Sequence, residues 1–168
     1  MELSAAPEFR TAGPADAPAI VTLVNEAYQV ETFFIQGPRT DEEEVAGLLK
    51  RGGFLLADGP EGLDGCIYVE SRGTVGYFGL LSVARVRPGR GLGRRLIAAA
   101  EAGLRGARCQ IVEILVVNLR KELFPFYRAL GYAEAGAAAF PESEKPRLLR
   151  ACHFVVMRKA LEAPSTAG

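Results

Sequence analysis

Residues 79–101 read GLLSVARVRPGRGLGRRLIAAAE. An apolar run at 80–83 gives way to a glycine-punctuated basic segment at 85–95, and Leu92, Leu96 and Ala100 then recur on one helical face. The pattern predicts a strand, a tight loop and a helix. Gly89, Gly91 and Gly93 alternate through the loop, so the backbone can turn with φ > 0 and no Cβ holds a bound group away from the N–H groups. A helix starting there offers unpaired N–H donors and the positive end of its dipole, which together favour an anion. Arg87, Arg90, Arg94 and Arg95 crowd the same turn, and guanidinium suits phosphate oxygens. A phosphorylated ligand is the expectation.

Downstream, residues 110–117 read QIVEILVV, β-branched and apolar, so the segment closes a strand, helix, strand unit with a parallel pair and a right-handed crossover. Leu123, Tyr127 and Leu130 then share a helical face, and Gly131 is placed to stop that helix. Pro125 is awkward in a helix interior, so the regular part is expected to start near Lys121. Residues 132–136 and 151–158 read as a final strand pair, separated by a loop at 137–150 rich in proline and charge.

Upstream, residues 8–11 form a short strand, and Pro14 or Asp16 opens a helix carrying Ile20, Leu23, Val24, Ala27 and Tyr28 at helical spacing. Thr40 begins Thr-Asp-Glu-Glu, a capping box closing on Glu43, before Val45, Leu48 and Leu49 supply the buried face of a second helix. Strands at 54–57, 66–70 and 75–83, joined by short glycine-bearing turns, read as an antiparallel meander.

At 168 residues and 49% apolar content the chain fits one mixed α/β domain, expected over 1–162, with 163–168 a flexible tail. Twenty basic residues balance twenty acidic ones, which argues against a nucleic-acid binder and makes the arginine cluster local. No apolar run approaches ~20 residues, and MELSAAPEFR lacks a secretory pattern, so a cytoplasmic protein without membrane partners is expected. Cys66, Cys109 and Cys152 lack CxxC spacing and read as reduced core residues; no metal is expected.

These residues support a resemblance. Leu81-Ser82-Val83 followed by Arg90-Gly91-Leu92-Gly93-Arg94 resembles the acyl-CoA signature of the GNAT-type N-acetyltransferase superfamily, and Phe126-Tyr127-Arg128-Ala129-Leu130-Gly131-Tyr132 resembles its second signature, F-Y-x-x-x-G-[FY]. The resemblance implies a mostly antiparallel mixed sheet with a splayed parallel strand pair and flanking helices. It implies acetyl-CoA as co-substrate, pyrophosphate on the loop amides, and pantetheine between the fourth and fifth strands. The function implied is acetyl transfer to a primary amine, on a small molecule or peptide, by direct attack. The alternative is a non-catalytic acyl-CoA-binding module, and pairing of two chains through the final strands stays open. A dinucleotide or NTP loop fits less well, since Arg94 breaks G-x-G-x-x-G and no G-x-x-x-x-G-K-[ST] occurs.

Residue by residue, the resemblance assigns Leu81, Ser82, Val83, Arg87, Gly89, Arg90, Gly91, Leu92, Gly93, Arg94, Arg120, Phe126 and Tyr127 to the CoA site. Pro88 stands where the family has Gln or Arg, which shifts the grip onto Arg87 or Arg90. Arg120 stands where the family has a pantetheine-bonding Asn; Asn118 either takes that bond or ends the strand. Tyr127 reads as the general acid that protonates the departing sulfur, or else as a core tyrosine. A backbone N–H near Leu81 or Val83 is the expected oxyanion donor. Glu113, Glu70 and Glu31 are the candidate bases, with Glu113 on the fifth strand taken first and proton loss through water as the other route. His153 reads as a buried core histidine in the last strand.

Overall fold

The computed structural model describes residues 8–85 and 91–162. Seven strands form one sheet in the order β1-β2-β3-β4-β5-β7-β6. The strands are β1 Arg10–Thr11, β2 Gly53–Gly59, β3 Gly62–Arg72, β4 Val75–Val83, β5 Ile111–Val117, β6 Ala133–Ala138 and β7 Phe154–Ala160. Among the described residues four α-helices accompany them: α1 Ala17–Ala27, α2 Glu42–Arg51, α3 Leu92–Gly106 and α4 Leu123–Ala129. Every neighbouring pair is antiparallel except β4 and β5, which run parallel.

Alternation along the strands sends side chains to two cores. Leu55, Ile67, Val69 and Phe78 pack with Leu96, Ile97, Ala100 and Leu104 of α3 and with Tyr127 of α4 on one face. Phe54, Leu56, Cys66 and Tyr68 pack with Ile20, Leu23 and Val24 of α1 and Val45 of α2 on the other. Helices on both faces explain why β2 is a continuous buried run, Gly53 through Ala57, rather than an alternating one. At the entrance to β2, a Cβ on Gly52 would stand 2.4 Å from the Val69 carbonyl oxygen. Gly52→Ala is therefore expected to cost about 1–3 kcal/mol, read as a lowered urea midpoint with an unchanged m-value.

Several boundaries differ from the sequence expectation. A 3-10 turn, Pro14–Asp16, precedes α1. The cap of α2 is Asp41, whose carboxylate accepts from Glu44 N at 2.8 Å, instead of Thr40. Thr40 is drawn away because its backbone N–H donates to Asn25 Oδ1 at 2.9 Å and its hydroxyl to Glu44 Oε1 at 2.7 Å. The last helix starts at Leu123, leaving Pro125 in the first turn, where a missing N–H costs no helical bond. Gly131 follows with φ +99° and ends it. β7 starts at Phe154, so His153 lies before it and is exposed rather than buried. Cys66 and Cys109 are core residues, while Cys152 is only half-buried. The tail at 163–168 and loop residues Arg87, Pro88, Gly89 and Arg90 lie outside the described residues.

Candidate functional site

β4 and β5 pair at only three positions, Val75 with Ile111, Gly76 with Val112 and Tyr77 with Glu113. Beyond them the strands part, and a cavity of about 500 Å³ opens between the two. The cause lies in β4. Cys66 and Tyr68 on β3 face Ser82 and Gly79, so Leu80 and Leu81 oppose Ile67 alone. The extra residue is a bulge, which bends and twists its strand. Leu80 sits at φ 52°, a left-handed conformation costing a branched residue about 1–2 kcal/mol. Ser82 Oγ at 3.0 Å and Cys66 Sγ at 3.8 Å both donate to the Leu80 carbonyl, which steadies the bulge.

Tyr127 projects from α4 into this cavity and is 8% exposed. Its ring packs against Phe126 at 5.1 Å, Tyr132 at 5.9 Å and Phe78 at 6.3 Å. Burial pushes its phenol up to about 12, so it stays protonated across the neutral range, with Arg120 opposing the shift. Phe126 lines the same cavity and lies under the Arg94 guanidinium, 5.6 Å from ring centroid to charge centre. One contact thus joins the start of α3 to α4.

The other end of the cavity is polar. Glu31, in the 3-10 turn Tyr28–Glu31 that follows α1, is 7% exposed and pairs with Arg120 at 2.8 Å. Burial raises its carboxyl above the ordinary value; Arg120 and, less strongly, Arg39 oppose that. Arg39 with Glu44 and Arg147 with Glu144 complete the charged lining, at 3.8 and 2.6 Å. Phe140, stacked on Phe154 at 4.2 Å, forms an aromatic wall.

Of the residues that the sequence resemblance assigned to the CoA site, the cavity gathers Leu81, Arg120, Phe126 and Tyr127. Ser82 is 2% exposed and turned to the bulge. Val83 and Leu92 border a separate hollow of about 170 Å³ beside Arg95. Gly91 caps α3 at φ 65°, with open space where a Cβ would lie, and Gly93 lies over Leu81 and Val83. Asn118 ties the end of β5 to the approach to β7: its N–H donates to the His153 carbonyl and its Oδ1 accepts from His153 N, both at 2.9 Å.

Among the candidate bases only Glu31 lines the cavity. Glu113 is the last β5 residue still paired with β4, below the opening, and its carboxylate is held by Arg158 at 2.8 Å. Glu70 accepts from Tyr68 Oη at 2.6 Å and pairs with Arg72. Arg39, Glu44, Glu144 and Arg147 were not singled out by sequence. They sit in or beside the two least patterned segments, and the only local signal was the turn chemistry around Gly37 and Pro38.

A family model described as an acetyltransferase (GNAT) domain matches residues 26–160. The chain belongs to the GNAT acetyltransferase family. Solved GNAT-like structures superpose along nearly the whole chain. Smu.2055 from Streptococcus mutans UA159 matches with TM-score 0.74 and 18% identity over 92% of this chain and 99% of that one. The ribosomal-protein-alanine N-acetyltransferase from Brucella melitensis gives TM-score 0.71 and 19% identity over 91% and 99%. The N-acetylglutamate synthase from Neisseria gonorrhoeae, solved with coenzyme A and N-acetyl-glutamate, gives 0.67 and 19% over 92% of this chain and 35% of that one. None of the curated proteins compared matches the sequence. No helix among the described residues of this GNAT chain is long and apolar enough to cross a membrane.

Proposed function

We propose that this GNAT chain transfers the acetyl group of acetyl-CoA to a primary amine in the cleft between β4 and β5. The observation that carries the reading is a buried, protonated Tyr127 and a buried Glu31 lining one cavity, opened where the parallel pair parts. Coenzyme A in the gonococcal synthase structure supports a thiol-bearing arm in this fold. Acetyl-CoA supplies a thioester, an activated acyl group with a thiol leaving group.

The residues of the chain divide the work. Leu81 and Val116, on the parted edges of β4 and β5, flank the thioester arm. Leu81 lines the cavity where β4 has parted from β5, and a backbone N–H there serves as the oxyanion donor. Glu31 takes the proton from the attacking amine, directly or through one water, and Tyr127 gives its proton to the departing sulfur. Arg120 holds Glu31 from one side and is itself anchored by Glu122 at 2.6 Å.

At the phosphate end, α3 is fifteen residues long and begins at a left-handed glycine without a side-chain cap, so its first-turn N–H groups are the donors that would meet an anion. Arg94 on that turn adds a guanidinium braced by Phe126. Gly91→Val would force a β-branched residue into φ 65°. It is expected to weaken CoA binding at least about tenfold, measured by calorimetry; unchanged affinity removes the loop from the site.

The function is tested by following free thiol released from acetyl-CoA as primary amines are added. Amine-dependent release, with N-acetylated product found by mass spectrometry, is expected. Coenzyme A binding without release across the amines would make the chain a binding module.

A further inference from the structure

We propose that the acceptor is a small primary amine that also carries a carboxylate, and that Arg39 binds that carboxylate. The inference rests on the acetyl-transfer reading and specifies its acceptor.

Among the described residues three arginines line the polar end of the cavity, and two are committed to the protein. Arg120 is divided between Glu31 at 2.8 Å and Glu122 at 2.6 Å. Arg147 gives one terminal nitrogen to Glu144 at 2.6 Å, its Nε to the Gln36 carbonyl at 2.8 Å and its other terminal nitrogen to the Pro38 carbonyl. Arg39 differs. The carboxylate it pairs with, Glu44, stands 3.8 Å away and is engaged by the Thr40 hydroxyl at 2.7 Å. A guanidinium whose fork is not filled by a close carboxylate is shaped to take one bidentately.

Arg39 is also held in place. The Thr40 peptide next to it is locked to α1 by two bonds with the Asn25 side chain, at 2.9 and 3.1 Å. Its guanidinium rests over the Tyr28 ring, 5.3 Å from the centroid, and such a platform fixes the plane of the fork. Tyr28, Glu31, Arg39 and Tyr127 all line the same cavity. An anion on Arg39 therefore shares one wall with the groups that would receive the amine proton and release the thiol.

The two connections that line this end of the cavity are tied to each other. Gln36 N donates to the Arg147 carbonyl at 2.9 Å, and Leu149 N donates to the Phe34 carbonyl at 2.7 Å. With Ile35 bridged to Leu148, these bonds clasp the α1–α2 connection to the β6–β7 connection. A cavity of about 500 Å³ that also takes the thioester arm suits a small zwitterion, with its carboxylate on Arg39 and its amine towards Glu31.

The test compares L-amino acids, their carboxamides and their decarboxylated amines, by thiol release and by calorimetry on the CoA-saturated protein. At least one amino acid is expected to show kcat/KM about 10- to 100-fold above its carboxamide, the loss of a charge-assisted contact. Arg39→Gln is expected to bring that ratio to within about threefold of one, mainly through KM for the acid. Arg39→Lys is expected to restore part of it. Turnover of decarboxylated amines or carboxamides as good as that of the acids overturns this proposal and leaves acetyl transfer standing. An amino acid that binds through Arg39 without any thiol release does the reverse. No amino acid bound or turned over, or Arg39→Gln lowering acid and amide alike, overturns the carboxylate assignment.

Discussion

Tyr127→Phe is expected to lower kcat by about 10²- to 10⁴-fold, the range a positioned proton donor supplies. Coenzyme A affinity and the fold should survive. The ring is the part that packs: its contacts with Phe126, Tyr132 and Phe78 are aromatic and are kept by phenylalanine. None of those contacts uses the hydroxyl, so its loss removes chemistry rather than core. Because burial lifts the phenol from 10.0 to about 12, Tyr127 should hold its proton well into the alkaline range. The neutral form is the one the fold favours, so its contribution to stability is complete below 10.0 and is lost as pH climbs towards 12. Circular dichroism with the stopped thiol assay separates the two effects: a variant that melts like the parent yet turns over normally takes the acid role from Tyr127.

Glu31→Gln is the second large effect, a fall in kcat of about 10²-fold or more. Gln keeps the shape, and Arg120 retains Glu122 as a partner, so no cation is left buried and alone. The pH dependence carries the sharper signature. Burial raises the Glu31 carboxyl above 4.5, and only its ionised form accepts a proton. Activity should thus fall as pH drops through a midpoint above 4.5. Stability runs the other way, since the neutral carboxyl suits the buried site: the contribution is full below 4.5 and fades as pH rises through the elevated value. Arg120→Met removes the cation that holds the value down and should move the activity midpoint higher still. An acid limb that stays in place in both variants assigns the base elsewhere.

The legibility of the sequence followed the range of the interactions. β4 was readable to the residue at 75–83 because a glycine turn and the glycine loop punctuate both ends. Tyr127 was readable because Leu123, Tyr127 and Leu130 share a face and a stop glycine follows. The bulge at Leu80 was not: Gly79 and Ser82 flank the position without interrupting a readable strand, and the left-handed turn is steadied by bonds from Ser82 and from Cys66, fourteen positions back on β3. Either Thr40 or Asp41 could cap α2 by local chemistry, and a bond to Asn25, fifteen positions back, decided between them. By sequence Glu113 comes first of three carboxylates because it lies on β5, but the fold holds it below the opening and Glu70 against Tyr68, and it is Glu31, distant in sequence, that lines the cavity. Arg39 and Arg147 were invisible because the contact that defines their end of the cavity joins positions 36 and 147, in segments with no periodicity.

The cleft between the parted strands is the central claim, and a crystal structure with coenzyme A tests it most directly. The thiol arm should lie between Leu81 and Val116, with its sulfur within hydrogen-bond reach of the Tyr127 hydroxyl and its pyrophosphate at the first turn of α3. A coenzyme bound elsewhere, or one whose sulfur points away from Tyr127, would contradict the account.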